Sequence, residues 1–311
     1  MQTVVLSGGV GAARFLAGLV QTMDESEITV ISNTGDDSEF YGLYVCPDID
    51  IVIYTLAGMV NPETGWGLEG DTFSALKELD VLGCETWFGL GDRDFATHIW
   101  RTARMRQGDT LSEITRLLAS ARGLGLQILP MSDERVRTMF DTQEGLLPFQ
   151  DYMVKRRSQP KVAAIRFEGA KAASPARGVV ESIESARRII LAPSNPYISI
   201  GSILAVPGIR EALRRTPARV AAISPIVEGK AVKGPAAKLM QEFGVEVSPF
   251  GVAQLYKDFL DLMIIDEQDA AILGRIEDLG IKADTAQTMM HSPQAKKTLA
   301  QRALERIDAL K

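Results

Sequence analysis

Only two cysteines, Cys46 and Cys84, and two histidines, His98 and His291, occur in 311 residues. So few cysteines rule out a disulfide framework, and their spacing matches no zinc pattern. A reducing, cytoplasmic setting is the expectation. So few histidines nearly exclude imidazole-rich zinc chemistry, and a Ser-His-Asp triad would have to recruit one of them. Neither lies in a motif, so both are read as structural. No stretch reaches the roughly 18 apolar residues of a membrane helix, and residues 1–7 lack the basic start and long apolar core of a signal peptide. No membrane contact is expected. Basic side chains are outnumbered, with 34 Lys and Arg against 40 Asp and Glu and a formal net charge of -6. That balance argues against nucleic acid as a partner. An anionic small molecule would need local basic groups or a metal.

Hydrophobic residues make up 46% of the chain and charged residues 24%, which suits one large α/β domain with or without an insertion. Residues 3–6 read as a buried strand, 12–23 as a helix and 28–32 as a second strand. Helical spacing follows at 50–57, 72–82, 96–106 and 111–121, the last behind a cap candidate at Asp109 or Thr110. Short apolar runs at 127–129, 162–167, 188–191, 220–223 and 262–265 alternate mostly with helices. This alternation predicts an α/β fold, a Rossmann-like parallel sheet with helices on both faces. Residues 131–176 depart from it, with a strand expected at 136–142, a mixed helix at 149–157 and a loop of small residues at 171–177. The expectation is a single domain over residues 1–311 carrying a smaller inserted α/β subdomain at about 131–176. Residues 292–311 read as a charged amphipathic helix packed by one face.

Ser7-Gly8-Gly9-Val10-Gly11-Ala12-Ala13-Arg14 joins the first strand to the first helix. Bare backbone at Gly8, Gly9 and Gly11 lets a phosphate approach, and the helix N-terminus supplies N–H donors. The spacing is a loose relative of G-x-G-x-x-G, and the Lys-Ser/Thr of a P-loop is missing, which argues against Walker-type ATP hydrolysis. Just beyond lie five acids: Asp36, Asp37, Glu39, Asp48 and Asp50. A dinucleotide reading uses Asp36 on a ribose and leaves Asp37, Asp48 and Asp50 unexplained. Beside phosphates, so much negative charge calls for a cation. Magnesium, held by one or two carboxylates plus substrate phosphates, is the usual one. Asp36, Asp37, Asp48 and Asp50 are therefore candidate Mg2+ ligands. A carboxylate there can also take a proton from an attacking hydroxyl, and the residues alone leave both roles open. In purely structural terms, Asp48 would cap a helix behind Pro47 and Asp50 would be its first-turn acid.

A second constellation is Trp87-Phe88-Gly89-Leu90-Gly91-Asp92-Arg93-Asp94. A planar ring system can stack on Trp87, Gly89 and Gly91 allow close backbone approach, and Arg93 offers a fixed fork of donors to phosphate or carboxylate. The plainer alternative is an apolar anchor before a helix cap at Asp92 and Asp94. Trp66 is a candidate for the same wall. A third constellation, Ala192-Pro193-Ser194-Asn195-Pro196, follows a strand and suits hydrogen bonding to a nucleotide or phosphate. Ser224-Pro225-Ile226-Val227-Glu228-Gly229-Lys230 follows the next strand in the same way, with Lys230 or Lys233 within reach of an anion. Recurrence after successive strands points to one cleft.

In this order, the glycine loop, Asn33-Thr34-Gly35-Asp36-Asp37, Cys46-Pro47-Asp48-Ile49-Asp50, Tyr54-Thr55-Leu56-Ala57-Gly58, Gly65-Trp66-Gly67, the run 87–94, Leu129-Pro130-Met131, Pro193-Ser194-Asn195-Pro196 and Ser224-Pro225-Ile226 resemble the 2-phospho-L-lactate transferase family of coenzyme F-420 biosynthesis. The resemblance implies transfer of a phospholactyl group, or the related phosphoenolpyruvyl or phosphoglyceryl group, from its guanosine diphosphate ester to the deazaflavin FO. The FO hydroxyl would attack the phosphorus bearing the acid and expel GMP, with magnesium on the diphosphate. It further implies Asp36 and Asp50 as the catalytic pair, and Gly8, Gly9, Gly11, Thr34, Ser194 and Asn195 beside the nucleotide. Asp50, Trp87, Gly89, Gly91, Asp92 and Arg93 would line the FO site, and the protein would be a homodimer. The competing reading is a nucleotide-sugar-binding regulatory protein of the same superfamily, whose acidic segment is richer in glycine and serine and lacks the run 87–94.

Overall fold

The computed structural model describes residues 2–310. Runs of Val, Ile and Leu form strands largely buried on both faces, as parallel strands must be when helices cover both sides. These are Thr3–Ser7 (β1), Ile28–Ser32 (β2), Gln127–Pro130 (β5), Arg188–Leu191 (β9), Arg219–Ile223 (β10) and Leu262–Asp266 (β13), joined at one edge by the half-exposed Lys282–Ala286 (β14). They pair in parallel as β14-β13-β10-β9-β1-β2-β5. Alternation along each strand divides the interior into two cores. Val4, Leu6, Ile189, Leu191, Met263 and Ile265 face one, and Val5, Val30, Ile128, Ile190 and Ile264 face the other. The predicted Rossmann-like sheet is borne out. From β1 the chain moves to β2 on one side, while β9 lies on the other, so a crevice opens at the carboxyl ends of β1 and β9.

Three small antiparallel sheets accompany it. Ser38–Phe40 (β3) pairs with Leu43–Val45 (β4), and Ile226–Val227 (β11) with Lys230–Ala231 (β12). Arg137–Thr142 (β6) lies between Gly145–Pro148 (β7) and Val162–Glu168 (β8). The run at 162–167 was expected to contribute to the parallel sheet. It joins β6 instead, because only the short π-helical turn Asp151–Lys155, with no crossover of a βαβ unit, separates it from the hairpin β6-β7. Edge strand β14 and the hairpin β3-β4, both unanticipated, are short and half-exposed and so lack a continuous apolar run.

Helix α1, Gly9–Leu19, starts inside the glycine loop rather than after it. Helix α2, Pro47–Leu56, has proline at its first position and is buried from Asp48 to Tyr54. Helix α3, Ser74–Val81, is followed by α4, Asp92–Arg106, which starts four residues earlier than the apolar pattern indicated. Helix α5, Leu111–Ala121, is capped by Thr110, one of the two candidates, closed into a capping box by Glu113. The C-terminal helix Pro293–Asp308 packs on α1 through Leu299, Ala300, Ala303 and Ile307. Among the described residues no helix is long and apolar enough to cross a membrane.

Candidate active site

At the crevice the chain encloses a cavity of about 530 Å³, well within the range of ligand pockets. Its first wall is the β1-α1 loop, where Gly8, Gly9 and Gly11 are exposed to the cavity. Side chains are excluded there by close neighbours. A Cβ at Gly8 would meet Ser199 Cβ at 2.4 Å, and one at Gly11 would meet the Pro193 carbonyl oxygen at 2.3 Å. The Ser194 hydroxyl fixes this loop by donating to the Gly8 carbonyl at 2.9 Å. Asn195 turns its segment by accepting from the Tyr197 amide at 2.9 Å, while its Nδ2 donor, in a residue that lines the cavity, is buried without a partner.

Asp36, Asp48 and Asp50 form the acidic wall. Asn33 orders the first two, since its Nδ2 donates to Asp48 Oδ2 at 2.9 Å and its Oδ1 accepts from the Gly35 amide at 2.8 Å. Burial, then the negative charge of Asp48, pushes the Asp36 carboxyl well above its usual range. Burial raises Asp48 to about 6 despite hydrogen bonds from Asn33 and the Gly9 amide. Asp37, also raised by burial, stands behind this wall outside the lining, near Arg101 and Cys46. Asp36 Oδ1, both Asp37 oxygens and Asp50 Oδ2 are buried without hydrogen-bond partners. Unpartnered buried carboxylate oxygens are costly unless a cation reaches them.

Asp50 differs from its neighbours in having a counter-ion. Its Oδ1 accepts from Arg101 on α4, and His98 Nδ1 stands 3.8 Å from its Oδ2. Asp94 completes the group, accepting from the Tyr54 hydroxyl at 2.8 Å and lying 3.5 Å from His98 Nε2. Burial opposes the Asp94 charge, but His98, Tyr54 and Arg101 outweigh it and its pKa falls below the ordinary value.

Phe88, Leu90, Phe149, Met153 and Val154 supply an apolar wall. Phe88 stacks on Phe40 with ring centroids 4.1 Å apart. Two cations, Arg14 and Lys233, also line the cavity, and burial followed by the Arg14 charge lowers the Lys233 pKa. Two like charges held this close favour an anion between them.

Residues 3–303 match the family model described as 2-phospho-L-lactate transferase CofD. The chain belongs to the CofD family. It is 46% identical to a phosphoenolpyruvate transferase of Streptomyces griseus over 98% of both chains. With the 2-phospho-L-lactate transferase of Methanosarcina mazei it shares 41% identity over 96% of this chain and 98% of that one. A solved UPF0052-family protein from Bacillus halodurans, only 15% identical, superposes with a TM-score of 0.65 over 97% of this chain and 98% of that one. That likeness concerns the fold alone.

Within this CofD-family chain the cavity gathers Gly8, Gly9, Gly11, Asp36, Asp48, Asp50, Gly89, Ser194 and Asn195. Thr34, Asp37, Trp87, Gly91, Asp92 and Arg93 are outside its lining. The helix start explains the last three. Gly91 caps α4, the Asp92 carboxylate accepts from the Ser74 and Ala75 amides at the head of α3, and Arg93 Nη1 donates to the Glu69 carbonyl at 2.8 Å. Trp87 is held edge-on by Phe40 and Phe88, and its Nε1 donates to Glu85 at 3.0 Å. Its neighbour Phe88 takes the place at the wall. Asp48, considered as a helix cap, sits instead inside α2, with Cys46 at the cap position. Both histidines, read as structural, line the cavity, as does Lys233 but not Lys230. Arg101 was not singled out, and Asp94 and Tyr54, though part of runs named above, were not assigned to the site. The available signal was the i, i+4, i+7 spacing of Asp94, His98 and Arg101, which places them on one face of α4.

Proposed function

We propose that this protein transfers a phosphorylated three-carbon acid, activated by linkage of its phosphate to GMP as a diphosphate, to the terminal hydroxyl of the deazaflavin FO, releasing GMP. The observation that carries the reading is the single cavity in which a phosphate-type glycine loop, unpartnered buried carboxylates and an apolar aromatic wall converge. Membership in the CofD family supplies the reaction class. The higher identity to the Streptomyces phosphoenolpyruvate transferase favours phosphoenolpyruvate as the acid over 2-phospholactate. The uncatalytic alternative, a nucleotide-sugar-binding regulator, gains nothing from the family match.

The donor set suits magnesium. Among the described residues no three His, Cys, Asp or Glu side chains gather into an all-protein metal cage, but Mg2+ on a diphosphate needs only one or two carboxylates. Asp36 and Asp48 would hold it, since each is buried, Asp48 raises the Asp36 pKa, and both lie in the cavity lining with the glycine loop. Bound there, the ion would neutralise the diphosphate and the charge that develops on the leaving GMP. Asp37, outside the lining, would support this pair rather than ligate.

Ser194, Asn195 Nδ2 and the N-terminal amides of α1 would orient the diphosphate, with Arg14 and Lys233 adding positive charge. Phe88, Leu90, Phe149 and Met153 would hold the deazaflavin ring and keep water from it. Asp50 would accept the hydroxyl proton of FO as the new P–O bond forms and the P–O bond to GMP breaks. Positioning and charge compensation carry most of such a reaction, and no phospho-enzyme is required. The antiparallel sheet β7-β6-β8 would be an inserted subdomain of a single domain, and the protein a cytoplasmic homodimer. Sedimentation of the purified protein would test the dimer. For the reaction, FO and magnesium are supplied with guanylylated phosphoenolpyruvate, 2-phospholactate and phosphoglycerate side by side. Product and GMP formed fastest from the phosphoenolpyruvate ester are expected, and no transfer from any of the three would end the proposal.

A further inference from the structure

Among the described residues Arg101 is the largest fully buried side chain, with 0% exposure. A charged side chain is placed there only when its partners are fixed. Its Nη2 donates to Asp50 Oδ1, and its Nη1 donates to His98 Nδ1 at 3.1 Å and to the Tyr44 carbonyl at 3.3 Å. Burial works against its charge, yet Asp50, Cys46 and Tyr54 raise its pKa above the usual value. A guanidinium only donates, so His98 Nδ1 is the acceptor and the ring proton of that tautomer sits on Nε2, beside Asp94. Two helices are thereby joined through one fork: α2 by the Asp50 carboxylate, and α4 by the His98 ring.

The consequence falls on Asp50. A carboxylate on a short side chain keeps one soft torsion, and a charge-assisted bond to one oxygen fixes its plane. Oδ1 is occupied in this way. Oδ2 has no hydrogen-bond partner, and the residue lines the cavity. Asp36, Asp37 and Asp48 form no ion pair among the described residues, so this arrangement sets Asp50 apart from the other acids of the site.

We propose that Arg101 is a positioning residue that acts through Asp50, holding one carboxylate oxygen so that the other meets the incoming hydroxyl of FO. The proposal rests on the reading of Asp50 as the group that receives that hydroxyl. Arg101 itself is outside the cavity lining and touches no substrate.

FO binding separates this role from a general contribution to folding, because it can be titrated without turnover. FO fluorescence and GDP affinity are measured on the magnesium-loaded full-length protein for the parent, Asp50→Asn, Arg101→Lys and the double variant Asp50→Asn with Arg101→Met. The double variant buries no unpaired charge, so it keeps the test open if Arg101→Lys does not fold. Asp50→Asn is expected to weaken FO binding about tenfold, and Arg101→Lys by about fivefold or more because lysine lacks the fork. GDP affinity should stay within about twofold in both, which a loosened fold would not allow. The double variant should bind FO within about twofold of Asp50→Asn, the non-additivity expected of residues acting as one unit. A further tenfold loss in the double variant, or parental FO affinity in a folded Arg101→Lys, would overturn the role of Arg101 while leaving that of Asp50 intact. Parental FO affinity in Asp50→Asn would instead remove the reading of Asp50, and the proposal with it.

Discussion

Replacing Asp48 by asparagine should stabilise the metal-free protein at neutral pH while impairing transfer. The carboxyl titrates at 3.8 in its ordinary state and at about 6 in the fold, with burial as the main cause. A raised carboxylate pKa means that folding disfavours the charged form. Below pH 3.8 both states hold the proton and the difference is nil; between 3.8 and 6 stability falls as pH rises; above 6 the whole penalty is present. At about 1.36 kcal/mol per decade this penalty is about 3 kcal/mol. Asparagine removes the charge yet still offers an oxygen to Asn33 Nδ2, now 2.9 Å from Asp48 Oδ2. For 311 residues, an unfolding entropy of about 2.1 cal/mol/K per residue converts the gain to a Tm rise of about 5 °C. The assay is thermal unfolding in chelator at pH 8 and at pH 4, repeated at pH 8 with magnesium. The rise should appear at pH 8 and vanish at pH 4, and magnesium should raise the parent Tm more than that of the variant. An unchanged or lower Tm at pH 8, or an equal gain at both pH values, would refute the claim that Asp48 is buried at a cost.

Four other changes test separate walls of the cavity. Asp50→Asn should lower turnover at least about 100-fold with the fold intact, and substantial turnover in magnesium would sink its role. Phe88→Ala should weaken FO binding about tenfold, as loss of an aromatic contact does, while Trp87→Ala should act more weakly, through Phe88; the reverse order in a fluorescence titration would restore Trp87 as the stacking surface. Lys233→Ala should weaken GDP binding and flatten its dependence on salt, and an unchanged salt slope would count against a cation at the diphosphate. Gly11→Ala places a Cβ 2.3 Å from the Pro193 carbonyl, so it should cost about 1 to 3 kcal/mol of stability together with GDP affinity; a neutral Tm and parental affinity would mean that the loop yields.

Which parts of this arrangement were legible in the chain follows from the range of the forces involved. The parallel sheet was, because burial on both faces demands continuous Val, Ile and Leu runs, and a two-core interior makes those runs periodic. The glycine loop, the acids at 36, 48 and 50, and Ser194-Asn195 were legible too, since each lies directly at a strand end or a helix start. Edge strand β14 and the hairpin β3-β4 were not, since half-exposed strands carry no such signature. The assignments within 87–94 slipped for a more specific reason. Position along a helix decides which side chains share a face, and starting α4 at Asp92 rather than residue 96 gives Asp92 and Arg93 to the loop before α3. The cavity then receives Asp94 and His98, with Arg101 one turn behind. These three could be placed only once α2 was set against α4, because a buried arginine is meaningful through its partner. Sequence supplies Arg101 as one of many basic residues on a polar helix, whereas the fold makes it the counter-charge of Asp50. The acid wall is thus divided in two: Asp50 is compensated by protein and fixed in direction, while Asp36 and Asp48 have no ion-pair partner among the described residues, which is what the proposed cation and diphosphate would supply.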